Sequence, residues 1–179
     1  MRLLALDTAT EACSVAVQTG QGVFARWIEA PREHGDRVLG MIDEVLAEAG
    51  VARAELDAIA FGRGPGAFTG VRIAAGLVQG MAAALDRPVV PVSTLGALAQ
   101  GVHRRSGHER VLAALDARMG EVYWGPYTLS PGGVMEAAVE ECVAPPGDVP
   151  VPPGEGWVGA GTGWARYPDE LAARLAGVL

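Results

Sequence analysis

Three clusters in this chain carry residue types that can do chemistry. Asp7, Thr8 and Thr10 follow a short apolar run, Leu3 to Leu6. An acid at the end of a strand can orient a metal-bound water, while N–H groups and hydroxyls of the following turn face phosphate oxygens. The same side chains can instead close an Asx or ST turn on their own backbone, the commoner use of this spacing. Gly62 to Gly70, reading GRGPGAFTG, places four glycines between an apolar run and a helical pattern. It lacks the G-K-[ST] of a P-loop and does not fit G-x-G-x-x-G. An anion at the following helix N-terminus would suit it, and so would a tight strand-to-helix connection with Arg72 capping local backbone. Asp116, Arg118 and Glu121 offer two carboxylates for acid–base work, but alternation along a hairpin need not bring them together. An Arg–carboxylate pair is the plainer outcome.

Other reactive types are isolated. His34, His103 and His108 show no metal-ligand spacing, and Cys13 and Cys142 form no C-x-x-C pair. Cys13 lies in an alternating apolar segment, as a buried free thiol would. No serine sits in a G-x-S-x-G elbow, so the sequence offers no convincing nucleophile.

The elements that must position these residues follow from periodicity. Leu3–Asp7 reads as a strand, Cys13–Gln18 as an alternating second, and Val23–Glu29 as a third after a Gly20–Gly22 turn, with Pro31 ending it. His34–Ala49 is helical, with Val38, Met41, Ile42 and Val45 on one stripe and Gly50 closing it. Leu39 and Leu46 fall off that stripe. Leu56–Phe61 is a buried parallel strand. Val71–Leu85 is a helix apolar almost all round, followed by a strand over Pro88–Val92 and a helix from Ser93-Thr94 to about Val102. Arg110–Leu115 opens a second unit, Glu121–Tyr127 returns, and Val134–Val143 makes a third strand. Ala144–Gly156 is a proline-rich loop, Trp157–Ala160 a strand, Gly161–Gly163 a turn, and Pro168–Leu175 a helix. The opening of the chain is thus repeated, with Leu6-Asp7 and Leu115-Asp116 each leading into a hairpin. Such a duplication suits a two-lobed α/β architecture, actin-like or ribonuclease-H-like, divided as 1–105 and 106–179.

Composition narrows the function classes. The 179 residues are 50% hydrophobic and 20% charged, which excludes a disordered chain. The basic residues are all arginine, so Schiff-base and P-loop lysine chemistry are excluded. The net charge of −7 argues against unaided nucleic-acid binding, and the longest basic run is only Arg104-Arg105. The apolar run before Asp7 is too short for a secretory leader, and no uninterrupted run reaches membrane-span length. A soluble, cytoplasmic protein is the expectation.

Several motifs in order complete the picture: MRLLALDTATEACSVA from Met1, PREH from Pro31, GRGPGAFTGVRI from Gly62, VSTL from Val92, LDARMGEVY from Leu115 and GTGW from Gly161. Together they resemble the bacterial TsaB family, also called YeaZ, over nearly the whole chain. The resemblance implies the acetate-kinase, Hsp70 and actin fold class. It also implies a part in making threonylcarbamoyladenosine beside the tRNA anticodon, as a non-catalytic scaffold for the paralogue TsaD, with the small ATPase TsaE joining the assembly. Its glycoprotease label would then reflect homology to TsaD only. The catalytic paralogues carry H-x-x-x-H where this chain has Thr94 and Leu98. Complete family members run some tens of residues further, so the second lobe is expected to be incomplete at its C-terminus.

The leading expectation is therefore a binding subunit, homodimeric alone, that meets TsaD through two helices. The interface is assigned to His34, Val38, Met41, Ile42 and Val45 with Val71, Ala74, Ala75 and Val78, because these helices carry more apolar surface than one core face needs. No catalytic residue and no metal are expected. Asp7, Thr8, Thr10 and Asp116 are the candidates for any ATP or ADP in the cleft; a partner interface is the other place for a nucleotide. Transfer RNA is met only through the complex, and no membrane is involved. The competing reading is a nucleotide hydrolase, or a peptidase-like enzyme, acting alone.

Overall fold

The computed structural model describes residues 1–29 and 33–179, which divide into two compact units, Met1–Thr94 and Leu95–Leu179. The expectation that Pro31 ends a strand lies outside the described residues.

The first unit is a five-stranded sheet with helices on one face. Strands β1 (Leu3–Asp7), β2 (Ala12–Thr19) and β3 (Gly22–Glu29) form an antiparallel meander, followed by α1 (His34–Ala49), β4 (Ala58–Gly62), α2 (Phe68–Leu85) and β5 (Val89–Val92). The order is β3-β2-β1-β4-β5, with β4 and β5 parallel to β1. Alternation sends Leu4, Leu6, Val15, Val17 and Ile59 to one side. There they meet Val38, Ile42 and Val45 of α1 and Ala74 and Val78 of α2. The first helix stops because Gly50 turns left-handed, φ 63°, and returns its N–H to the Ala47 and Leu46 carbonyls.

The second unit repeats part of this plan. Its elements are α3 (Thr94–Ser106), which begins at the last residue of the first unit, β6 (Arg110–Arg118), β7 (Glu121–Leu129), β8 (Met135–Ala137), β9 (Cys142–Ala144), β10 (Val158–Ala160), α4 (Thr162–Arg166) and α5 (Pro168–Leu175). The order is β10-β6-β7-β8, and β9 also pairs with β7. Consecutive β6 residues are buried because both faces of this sheet are covered. Leu112 and Ala114 pack with Trp124, Leu171 and Leu175, while Val111, Ala113 and Leu115 pack with Leu95, Ala99 and Tyr127.

Three expectations need correction. The units divide at Thr94 rather than after 105, because Leu95 and Ala99 of α3 belong to the core against β6. The strand expected over Val134–Val143 is two short strands on different stretches of β7; the chain turns between them, with Ala138 N–H on the Pro126 carbonyl. The Gly161–Gly163 turn is the start of α4, seated on Ala114.

Candidate functional site

Every side chain of the Asp7 cluster is engaged by nearby backbone. Asp7 Oδ1 accepts the Ala9 N–H at 2.7 Å, and Thr10 Oγ1 accepts the Ala12 N–H at 3.3 Å. The fully buried Thr8 donates its hydroxyl to the Gly70 carbonyl at 2.7 Å. The Asp7 and Thr10 bonds are the local turns that Asp and Thr favour, and the Thr8 bond ties the turn to the start of α2.

The glycine loop fits over this turn. A Cβ on Gly66 would lie 2.2 Å from the Ala9 carbonyl oxygen, and one on Gly70 would lie 1.9 Å from that of Thr8. Both positions must therefore be glycine for the chain's own sake. The Ala67 N–H donates to the same Ala9 oxygen at 2.7 Å. Gly62 leaves room for the second Asp7 oxygen, which would stand 2.1 Å from an added Cβ. At the helix start, Arg72 donates to the Phe68 carbonyl at 3.2 Å and lies over the Phe68 ring, 3.3 Å from its centre.

Parallel β1, β4 and β5 all end at this edge, so residues distant in sequence gather at the carboxyl. Burial holds Asp7 above the ordinary carboxylate range, while the Ala9 N–H, the Thr94 hydroxyl and the His34 imidazole act in the opposite direction. His34 and Thr94 are each 7% exposed. Among the described residues, neither His34 Nε2 nor Thr94 Oγ1 has a hydrogen bond of good geometry. Cys13 is fully buried, and burial, with Asp7 adding to it, pushes its thiol pKa up, the reverse of what a nucleophile needs. Sequence reasoning placed His34 at an interface and Thr94 at a helix cap. The strand order, with three parallel ends converging, is the signal that unites them with Asp7.

Asp116 occupies the corresponding position in the second unit. Its Oδ1 accepts the Arg118 N–H at 2.9 Å, and its own N–H donates to Thr162 Oγ1 at 3.1 Å. Arg118, Met119 and Gly120 are left-handed, with φ of 66°, 54° and 84°. The register pairs Arg118 with Glu121 and Asp116 with Val122, so the two carboxylates are not opposed. His103 Nδ1 lies 3.0 Å from the His108 carbonyl. No group of three or more metal-ligating side chains occurs among the described residues.

The helix residues assigned to an interface need correction. His34, Val38, Met41, Ile42, Val45, Ala74 and Val78 are buried within the first unit, and Val71 and Ala75 are half-buried. Their apolar stripe is this unit's core face, so it is not free to line a contact. The outward faces carry Leu39 on α1, 49% exposed, and Phe68, 71% exposed, with Arg72, Gly76 and Gly80 on α2. Nothing lies within 4 Å of a Cβ added at Gly76 or Gly80. By length and composition α2 is apolar enough to cross a membrane, but Arg72 and Gln79 interrupt it and its inner face packs in this core.

In each sheet the first strand pairs parallel with a later strand on one side and antiparallel with the second strand on the other, the third lying beyond it. With an aspartate-capped hairpin in each, these pairings define the class: a mixed α/β protein of the actin-like, ribonuclease-H-like type. Residues 11–157 match the family model of TsaD, tRNA N6-adenosine threonylcarbamoyltransferase. The chain is 49% identical over 146 residues to the tRNA threonylcarbamoyladenosine biosynthesis protein TsaB of Escherichia coli, covering 82% of this chain and 63% of that protein. Identity to the Haemophilus influenzae TsaB is 52% over 125 residues, covering 69% of this chain and 52% of that one. It thus spans about half to two thirds of the length of these relatives. The solved YeaZ structure from Pseudomonas aeruginosa superposes with a TM-score of 0.90 at 54% identity, over 97% of this chain and 79% of that one. The chain belongs to the TsaB/YeaZ family, within the TsaD-type group.

Proposed function

We propose that this chain serves threonylcarbamoyladenosine formation in tRNA as a non-catalytic subunit that binds a TsaD-type paralogue. The names of its relatives support the pathway. The observation that carries the binding role is the outward side of α2, which exposes Phe68 at its first turn and, about two and three turns further on, Gly76 and Gly80. Glycines four apart let a second helix approach closely, and an exposed aromatic is a common anchor at an interface. A matching helix pair on the paralogue would fit this face, as would a second copy, so homodimer and heterodimer exclude each other there. TsaE and the tRNA join through the assembly; at a net charge of −7 the chain alone binds tRNA weakly, with a shallow salt dependence.

A non-catalytic role agrees with Asp7, Thr10 and Asp116 being held in backbone turns and with Thr8 being spent on the Gly70 carbonyl. The places for a nucleotide are the Asp7 turn of the first unit, the Asp116 turn of the second, or the partner interface. Gly80→Glu tests the assignment, since the added side chain meets open space. Mixed with the paralogue and measured for mass in solution, the variant should remain folded and fail to form the complex. A variant that binds like the original chain moves the contact off α2.

A further inference from the structure

The carboxyl end of α3 gathers positive charge on an acidic chain. Residues 103–110 read HRRSGHER, three arginines and two histidines against the one acid Glu109, in a chain of net charge −7. His103, Arg104 and Arg105 lie in the last turn of the helix, where its dipole favours cations. The chain then turns at Gly107, φ 76°, whose N–H donates to the His103 carbonyl at 2.7 Å. His103 Nδ1 donates to the His108 carbonyl at 3.0 Å, which folds His108 back against the helix end. With Nδ1 used in this way, the Nε2 edge of His103 is the one left for another group. Arg110 donates to the Glu155 carbonyl, a contact that holds the guanidinium without neutralising it.

The two units use arginine differently. In the first, Arg2, Arg26, Arg37 and Arg53 each meet a carboxylate. Arg104 and Arg105 are exposed, and neither has an ion pair among the described residues. The positions four residues before them, where an acid pairs best with a basic side chain, are Gln100 and Gly101. Gln100 is engaged instead with the Gly133 carbonyl and the Met135 N–H. A Cβ on Gly101 would lie 3.7 Å from Arg105 Nη1, so this guanidinium lies back along bare helix backbone. The dipole tolerates this cluster, but its charge is left for a partner outside the chain.

We propose that this helix end takes the phosphodiester backbone of the tRNA once the assembly has brought it near. The inference rests on the role in tRNA modification proposed above. Guanidinium forks match phosphate oxygens in pairs. Successive helical residues point about 100° apart, so the forks of Arg104 and Arg105 diverge and reach neighbouring phosphates rather than one. His103 Nε2 adds a further contact. A protein partner would need an apolar centre to bind with useful strength, and residues 103–110 supply no apolar side chain. Phosphate contacts need none, since their affinity comes from released counterions. About two or three such contacts are too few to hold tRNA against a net charge of −7, so the patch acts only within the assembly. It uses no residue of α2 and is compatible with the contact proposed there.

The test compares Arg104→Gln plus Arg105→Gln with Arg2→Gln plus Arg53→Gln, which removes the same charge from paired arginines of the first unit. Both pairs of positions are exposed, so circular dichroism should be unchanged. Each chain is mixed with the TsaD-type paralogue and TsaE, measured for mass without RNA, then titrated with tRNA at a series of salt concentrations. All should form the same assembly. The Arg104, Arg105 variant should bind tRNA about fivefold or more weakly at low salt, with a slope of log affinity against log salt shallower by about 1.5. The Arg2, Arg53 variant should match the original chain within about twofold. An unaltered slope in the Arg104, Arg105 variant overturns the proposal. So does an equal loss in the Arg2, Arg53 variant, which would make the effect one of net charge. Loss of the assembly itself by the Arg104, Arg105 variant also overturns it, since the patch would then hold an acidic protein. An original chain that joins no assembly overturns the reading above and this inference with it; the other outcomes leave that reading standing.

Discussion

The Asp7 and Asp116 turns share one hydrogen bond and differ in what lies over them. In each, a carboxylate at the end of a first strand accepts the N–H two residues on. Over the first turn lie Gly66 and Gly70, with the Ala67 N–H on the Ala9 carbonyl. In the second unit the glycine contact falls further back, where a Cβ on Gly161 would stand 2.2 Å from the Ala114 carbonyl oxygen. The second hairpin tip is left open, with Met119 98% exposed in a left-handed conformation. The shared acid shapes a hairpin. The cover is particular to each unit, and the glycines serve that cover before they serve any ligand.

The largest effect expected is from Val78→Glu. Val78 is fully buried, so the carboxylate would be trapped without a partner at about 3 to 5 kcal/mol. Denaturant unfolding should show the first unit lost, whereas Gly80→Glu two positions later on the same helix should leave stability within about 0.5 kcal/mol. Next come Gly70→Ala and Gly161→Ala, which press a methyl into backbone oxygens of their own units. Each should cost about 3 kcal/mol, more at Gly161 because its φ of 105° is strained for alanine. Hydrogen exchange should show each loss confined to its own sheet. If Gly70→Ala is neutral, the loop is not seated on Thr8 and the contrast between the turns fails.

Asp7→Asn sharpens the comparison through pH. The Asp7 carboxyl is raised by burial, so between the ordinary carboxylate value and its native value the folded chain holds a proton that the unfolded chain has lost. Stability from this group therefore falls as pH rises through that window and is level above it. Asparagine keeps the acceptor for Ala9 and removes the slope. Urea midpoints against pH should separate original and variant progressively above the carboxylate range. The smallest effect is Met119→Asn, which suits a left-handed turn position and should stabilise the second unit by about 0.5 to 1 kcal/mol.

Much of the fold was legible in the residues. Leu3–Asp7, His34–Ala49 and Pro168–Leu175 have the bounds that their periodicity and caps suggest. Arg110–Leu115 was legible as a strand, but alternation marks no face there, since the β6 run VLAAL contains no polar residue and both faces of the sheet are covered. The interface residues went wrong for a related reason. An apolar stripe shows that a face is buried, not what buries it, and for Val38, Ile42 and Val78 the cover is their own sheet. The gathering of His34 and Thr94 at Asp7 was hidden because it depends on strand order rather than on spacing along the chain.

The central claim is that this chain assists the modification without taking part in its chemistry. Its most direct test is reconstituted threonylcarbamoylation of tRNA by the TsaD-type paralogue and TsaE, supplemented with this chain or with its Asp7→Asn, Asp116→Asn double variant. Asparagine preserves both turn hydrogen bonds while removing both carboxylates. Modification should depend on the chain and proceed at the same rate with the double variant. A folded double variant that binds the paralogue yet supports no modification would contradict it, and would place Asp7 or Asp116 in the reaction.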